Sequence, residues 1–491
     1  MPTLDNLYPA SVWRHFAGLC RIPRPSRHES AVREHLLAWA RERGIAARAD
    51  PIGNLLLNKP ATPGMEDRPG VILQGHLDMA CQKRDGSPHD FLRDPIAPIL
   101  EDGWVQARDT TLGADNGIGA ALALAALEAP DLSHGPLEVL LTVDEESGMG
   151  GARGLESSAL AGRLMINLDT EEIGEVYLGC AGGVDVNITH QFATEPAAPG
   201  WEAASLALTG LMGGHSGVDI HLERGNAIKL LGRVLADFTP AELRIAALAG
   251  GTARNALPRS AHAEVLLAPG LQARLRARLA SLEAGLRDEL AGVDDDLRLT
   301  LTPASRQIHQ ALSADAQTCL LALLLAAPHG VRRWSQRVPG VVETSNNLGV
   351  LQLQEGALTA NFMVRSLMPA GSRQLAREIS ALFSLAGARV ETEGEYPGWT
   401  PNPDSPLLAH FQATHRRLFG QPATVRVIHA GLECGILADK LPGLDVVSFG
   451  PTIRGAHAPG ERVNVASVGQ AWKLLCALLA HLPPAGQLPA N

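Results

Sequence analysis

The sequence predicts an α/β protein: a mixed sheet covered by helices on both faces, interrupted by an inserted α+β module. Three observations predict it. Short apolar runs at 71–75 (VILQG), 137–143 (LEVLLTV) and 164–168 (LMINL) read as strands buried on both faces. Segments with apolar residues at helical spacing alternate with these runs, as in a helix-covered sheet. Beyond Cys180 the pattern shifts towards period-two alternation, the mark of half-buried antiparallel strands.

In chain order, 29–43 (ESAVREHLLAWARER) carries apolar positions at helical spacing, and Gly44 is a stop signal. An Ala/Leu-rich helix spans Gly117–Glu128. Strands at 203–209 and 261–267 and helices at 226–237 and 271–290 make a first round of the insertion. A helix at 314–327, strands near 348–364 and a helix at 372–386 make a second, so two similar halves fit within it. The stretch EYPGWTPNPDSP is a Pro-rich re-entry, followed by a helix at 406–418 and a strand at 445–449 that rejoins the first sheet. The expected organisation is a catalytic domain in two parts, 1–183 and 395–491, around an inserted domain at 184–394.

Composition narrows the function classes. With 45% hydrophobic and 19% charged residues over 491 positions, the chain is neither disordered nor membranous. Its 52 Asp+Glu against 42 Lys+Arg, net −10, oppose a nucleic-acid footprint. No apolar run reaches the ~18 residues of a membrane span, and the N-terminus lacks a signal-peptide layout. Six cysteines (Cys20, Cys81, Cys180, Cys319, Cys434, Cys476) include no C-x-x-C pair, which fits scattered thiols in a reducing, cytoplasmic setting. Any bound metal must therefore use His and carboxylate ligands.

The chemistry-bearing residues stand just past the strands of the first sheet. GHLD supplies His76 and Asp78, two apart and so on one side of extended backbone, with Asp78 able to hold the imidazole's far nitrogen. GADNG supplies Asp115, DEESGMGG supplies Glu145 and Glu146, NLDTEE supplies Asp169, and GAHAPGER supplies His457. His76, Asp115, Glu146, Asp169 and His457 form a set of two imidazoles and three carboxylates that suits Zn²⁺, Mn²⁺ or Co²⁺. The number fits two metals if one carboxylate bridges. The carboxyl edge of an open α/β sheet is also where such folds place their ligands. In the Glu145–Glu146 pair, one side chain can bind metal while the other faces a metal-bound water, which makes a hydrolytic site. A serine hydrolase is excluded by the lack of a G-x-S-x-G elbow.

Together these motifs resemble the di-zinc exopeptidases of the aminoacylase and glutamate carboxypeptidase family, from about residue 10 to the end. Stretches such as RIPRPSRHE, QGHLDMACQK, LGCAGGVD, GGHSGVDIHLERGNA, TARNALPR and VIHAGLECG are similar to the aminoacyl-histidine (Xaa-His, carnosinase-like) dipeptidases. The resemblance implies a zinc-exopeptidase-like sheet with an inserted lid, and two Zn²⁺ per chain. His76 and Asp169 would hold one ion, Glu146 and His457 the other, with Asp115 as the bridge and the Asp115–Asn116 bond cis. Asp78 would orient His76. Glu145 would be the general base acting on a metal-bridging hydroxide. In the insertion it implies His215 as the group polarising the scissile carbonyl, with Asn255 and Arg365 as substrate contacts, Arg365 for the free carboxylate. The implied substrate is a dipeptide of Xaa-His type. A broader aminopeptidase or tripeptidase, or an N-acyl-amino-acid deacylase, would share the same metals and base. No nucleic-acid or membrane partner is expected, and a homodimer is the implied assembly.

Overall fold

The computed structural model describes residues 4–487. The chain divides into two compact units. The first comprises residues 1–179, 401–427 and 432–491, and the second comprises 180–400 with the short segment 428–431. That segment joins the second unit because the Ala181 N–H donates to the carbonyls of Ile428 and Ala430 (3.0 and 3.1 Å).

The first unit is built on an eight-stranded mixed sheet. Its centre is parallel, in the order Leu137–Thr142, Val71–His76, Leu164–Asn167, Asp445–Ser448. On one side Leu55–Lys59 and Ala46–Ala49 extend it antiparallel, and on the other Glu175–Cys180 and Thr424–Ile428 complete it. Every residue of Val71–His76 is buried, as a strand covered on both faces must be. The helix Ala114–Glu128 is apolar all round and almost wholly buried, which is the pattern of a core helix and not a surface one. Trp13, Phe16, Leu73, Ile118, Val139, Phe411 and Leu475 contribute to this unit's hydrophobic core.

The second unit contains two βαββαβ halves, one nested within the other. Strand Gly182–Gln191 opens the outer half. The chain then builds a complete inner half: Glu202–Thr209, helix Ala227–Ala236, Leu243–Gly250, Ala261–Leu267, helix Gln272–Glu289 and Arg298–Pro303. It returns through helix Ala314–Ala326, strands Val342–Gln354 and Ala357–Ser366, helix Pro369–Leu385 and strand Arg389–Tyr396. The halves share one continuous sheet, joined where Ala247–Gly250 runs antiparallel to Leu351–Gln354. Four apolar side chains, Ile228, Leu231, Leu348 and Phe362, sit in this unit's own core. Among the described residues no helix is long and apolar enough to cross a membrane.

Candidate metal centre

His76, Asp78, Glu145, Glu146 and Asp169 stand at or just past three parallel strands of the eight-stranded sheet. Asp115 and His457, also expected past that sheet, instead follow strands Trp104–Ala107 and Ile453–Arg454 of a separate four-stranded sheet. His76 is the last residue of its strand, fully buried. Its Nδ1 lies 3.2 Å from Asp78 Oδ1. Asp78 is also buried, and its carboxylate accepts the N–H groups of Glu145 and Glu146 (3.1 Å each) and the Ser26 hydroxyl (2.8 Å). Burial pushes the Asp78 carboxyl up, but the hydrogen bonds outweigh it and lower it to about 2. An ionised Asp78 fixes the ring and leaves Nε2 as the free face of His76.

That face looks at two carboxylates: Asp115 Oδ1 at 3.2 Å and Asp169 Oδ1 at 3.4 Å. On the other side, His457 Nε2 lies 3.0 Å from Asp115 Oδ2 and 2.9 Å from Glu146 Oε2. The two imidazoles thus address opposite oxygens of one carboxylate, each together with one further acid. Asp115 follows Gly113 at the start of its helix, and its bond to Asn116 is cis. The Asn116 amide donates to the Leu168 carbonyl (2.7 Å) and accepts the His76 N–H (3.3 Å), which links three motif-bearing segments. Glu146 is held by the Ala80 N–H at Oε1 (3.1 Å). His457 is more than half exposed and sits at φ +61°, a left-handed turn that aims its ring inward.

The electrostatics show a surplus of negative charge. Burial pushes the Asp169 carboxyl up to about 7 and Glu433 up to about 8. It also pushes Glu145 well above the carboxylate range, with Asp169, Glu433 and Glu146 adding to the effect. His76 is driven up by its carboxylate neighbours against its own burial, and His457 rises to about 11 through Asp115 and Glu146. A divalent cation here would offset the charge that these groups share. Asp169 Oδ1 is buried without a hydrogen-bond partner. The ligand atoms of His76, Asp115 and Glu146 all lie within 4.8 Å of one another. Neighbouring ligands around a tetrahedral ion with bonds of about 2.0–2.1 Å are separated by about 3.3 Å, close to the separations seen here. The donor set fits divalent cations.

The profile of peptidase family M20/M25/M40 matches residues 72–481. The chain belongs to this family. It is 44% identical over 484 residues to the cytosol non-specific dipeptidase of Escherichia coli (strain K12), spanning 98% of this chain and 100% of that protein. It matches the crystal structure of aminoacylhistidine dipeptidase from Vibrio alginolyticus at a TM-score of 0.91 and 43% identity, over 98% of each chain. An aminopeptidase of Bacillus cereus shares the fold alone, at a TM-score of 0.57 and 16% identity over 97% of this chain and 99% of that one.

The remaining motif residues of this M20 peptidase lie in its second unit. His215 and Asn255 stand on or beside a two-stranded ribbon pairing Gly214–His215 with Ala256–Leu257. His215 Nδ1 accepts the N–H groups of Gly217 (3.2 Å) and Val218 (3.0 Å), so the ring hydrogen sits on Nε2. Burial and Arg365 lower this imidazole to about 4, leaving it neutral. Arg365 is 4% exposed and donates to the Tyr396 hydroxyl (3.0 Å) and Ser216 Oγ (3.5 Å), and among the described residues no carboxylate pairs with it. Asn255 is exposed, and its carbonyl, not its amide, is engaged, by the Ser216 N–H at 2.8 Å.

Several buried groups lie in stretches quoted above but were given no role by the sequence reading. Arg24, Glu433 and Glu461 in the first unit, and Tyr396 and His429 in the second, are all polar residues packed against the motif segments. Glu433 accepts from Thr142 (2.5 Å) and Gln74 (2.8 Å) beneath the strand ends. His429 Nε2 contacts Ser345 Oγ at 2.8 Å. Their partners are distant in the chain, so no local spacing marks them.

Proposed function

We propose that this chain is a metal-dependent dipeptidase using two divalent cations, zinc first and Mn²⁺ or Co²⁺ as substitutes. The observation that carries this reading is the Asp115 carboxylate, faced on opposite oxygens by His76 and His457. Asp169 completes the His76 side and Glu146 the His457 side. Two ions held by these residues would polarise the scissile carbonyl and acidify the attacking water. Glu145 takes the water's proton and hands it to the leaving amine. Asp78 keeps His76 in the tautomer that leaves Nε2 as a ligand.

The second unit supplies groups suited to the rest of a dipeptide. The neutral Nε2–H of His215 donates to a carbonyl oxygen as negative charge develops on it. Arg365, buried and without a carboxylate partner among the described residues, matches a substrate's free carboxylate. Asn255 is the third substrate contact in this reading. The two relatives at 43–44% identity are named as dipeptidases, one non-specific and one for aminoacyl-histidine, which supports dipeptides as the substrate class and includes Xaa-His. The cytosolic name of the Escherichia coli relative supports a cytoplasmic location.

Hydrolysis of a panel made of carnosine, Ala-His, Ala-Ala, a tripeptide and an N-acetyl amino acid tests this, with metal analysis of the same preparation. Dipeptides should be the preferred substrates. Preference for the tripeptide or the acylated amino acid would replace the dipeptidase reading with the broader aminopeptidase or the deacylase.

A further inference from the structure

Two buried ionisable side chains of the first unit form no ion pair among the described residues. Arg24, 2% exposed, donates to three backbone carbonyls: Leu77 (2.8 Å), Asp78 (2.7 Å) and Gly113 (2.5 Å). Glu461, also 2% exposed, accepts four consecutive backbone N–H groups: Leu112 (2.8 Å), Gly113 (2.9 Å), Ala114 (2.7 Å) and Asp115 (3.1 Å). Burying an ion is costly unless every polar atom is engaged. Here the engagement is entirely with backbone, and both ions hold the same loop from its two sides. Gly113 gives its carbonyl to the guanidinium and its N–H to the carboxylate.

The segments joined in this way are the ones that bear ligands. Arg24 binds the turn after His76 and the loop before Asp115. Glu461 binds the loop before Asp115 and stands four residues after His457. The glycines of GADNG fit the same arrangement. A Cβ on Gly113, at φ +71°, would lie 2.5 Å from Arg24 Nη2, and one on Gly117 would lie 2.7 Å from it.

We propose that Arg24 and Glu461 are positioning residues acting as one clamp through the Gly113 peptide, setting His76, Asp115 and His457 at the spacing that holds both cations. Neither residue touches a metal or substrate. The proposal rests on the reading of Asp115 as a metal ligand, and its test separates the two.

Zn²⁺ affinity is measured by equilibrium dialysis against a competing chelator, and Co²⁺ binding by its visible absorption, for wild type, Asp115→Asn, Glu461→Gln, Arg24→Lys and the double variant Arg24→Lys/Glu461→Gln. Thermal melting of each is recorded with and without metal. Replacement of groups that orient metal ligands costs 10–100-fold in affinity, and Glu461→Gln is expected to fall in that range with an altered Co²⁺ spectrum. The double variant should lose no more than the weaker-binding single one, because the two act as a unit. Gly113→Ala, which crowds the guanidinium and removes no charge, should also weaken binding. A purely structural role would lower the metal-free melting temperature of Glu461→Gln while leaving its metal affinity and Co²⁺ spectrum at wild-type values. That result, or additive losses in the double variant, overturns the clamp. Undiminished binding of two ions by Asp115→Asn overturns the ligand reading instead.

Discussion

In the first unit burial pushes carboxyls up, Asp169 to about 7 and Glu433 to about 8. In the second it pushes imidazoles down: His215 and His329 to about 4 and His429 to about 3. One physical effect, the penalty on a charged form out of water, works in both. The chemistry it prepares is opposite. Crowded carboxylates and two imidazoles leave an anionic hollow that a divalent cation neutralises. Two of these neutral imidazoles, His215 and His429, feel the buried Arg365, so this cluster carries positive charge.

The largest effect should come from emptying the anionic hollow. Chelation should abolish activity, with Zn²⁺, Mn²⁺ or Co²⁺ restoring it, and Asp115→Ala should lose both ions together in metal analysis. An Asp115→Ala protein that retains two tightly bound ions would end the bridging assignment. Next in size, Glu145→Gln should keep the metals and lower kcat by about 10²–10⁴-fold, the range for loss of a general base. Near wild-type turnover would assign the base elsewhere.

Effects in the second unit should be smaller and should leave metal content unchanged. His215→Ala is expected to lower kcat by about 10²–10³-fold, as for loss of a donor to a developing oxyanion. Unaltered dipeptide kinetics in that variant would remove its catalytic part. Arg365→Met should act mainly through KM, raising it by about 10–100-fold on free dipeptides, because a carboxylate grip is similar in ground and transition states. The same variant should barely change on C-terminally amidated substrates. Equal losses on both would sink only the carboxylate assignment.

The smallest expected effect is a difference of sign. The neutral imidazoles of the second unit contribute stability that is present above their ordinary 6.5 and is lost as pH falls towards 4. In the metal-free first unit, the raised carboxyls of Asp169 and Glu433 contribute stability that is present at low pH and lost as pH rises through 7 to 8. Acidifying the metal-free protein from pH 6.5 to 5 should therefore tighten hydrogen exchange around the first cluster and loosen it in the second unit. Parallel changes in both regions would break the contrast. With metal bound, acid should instead weaken the first cluster, because protons compete for its ligands.

The sequence by itself determined a good deal. Strand-end motifs marked His76, Asp78, Glu145, Glu146 and Asp169, which stand at or just past strands of the eight-stranded sheet, since a residue next to a strand keeps a fixed direction. Asp115 and His457 instead follow strands of the four-stranded sheet. Helices and strands were legible where periodicity was strong: the reading of 29–43 corresponds to Ser30–Glu42, and that of 226–237 to Ala227–Ala236. The helix read from Gly117 to Glu128 is the regular part of Ala114–Glu128, because Asp115 and Asn116 have non-helical backbone within its first turn.

Only the tertiary structure decided which histidine nitrogen faces which carboxylate oxygen, since those pairings cross up to 342 residues of chain. It alone decided that the outer half of the second unit opens with Gly182–Gln191, because that strand finds its neighbours Ala357–Ser366 and Arg389–Tyr396 only after the inner half has intervened. Arg24 and Glu461 belong to the same class. They bind peptide groups, which every residue carries, so no side-chain motif could announce their partners, and their place became visible only once the backbone was folded around them.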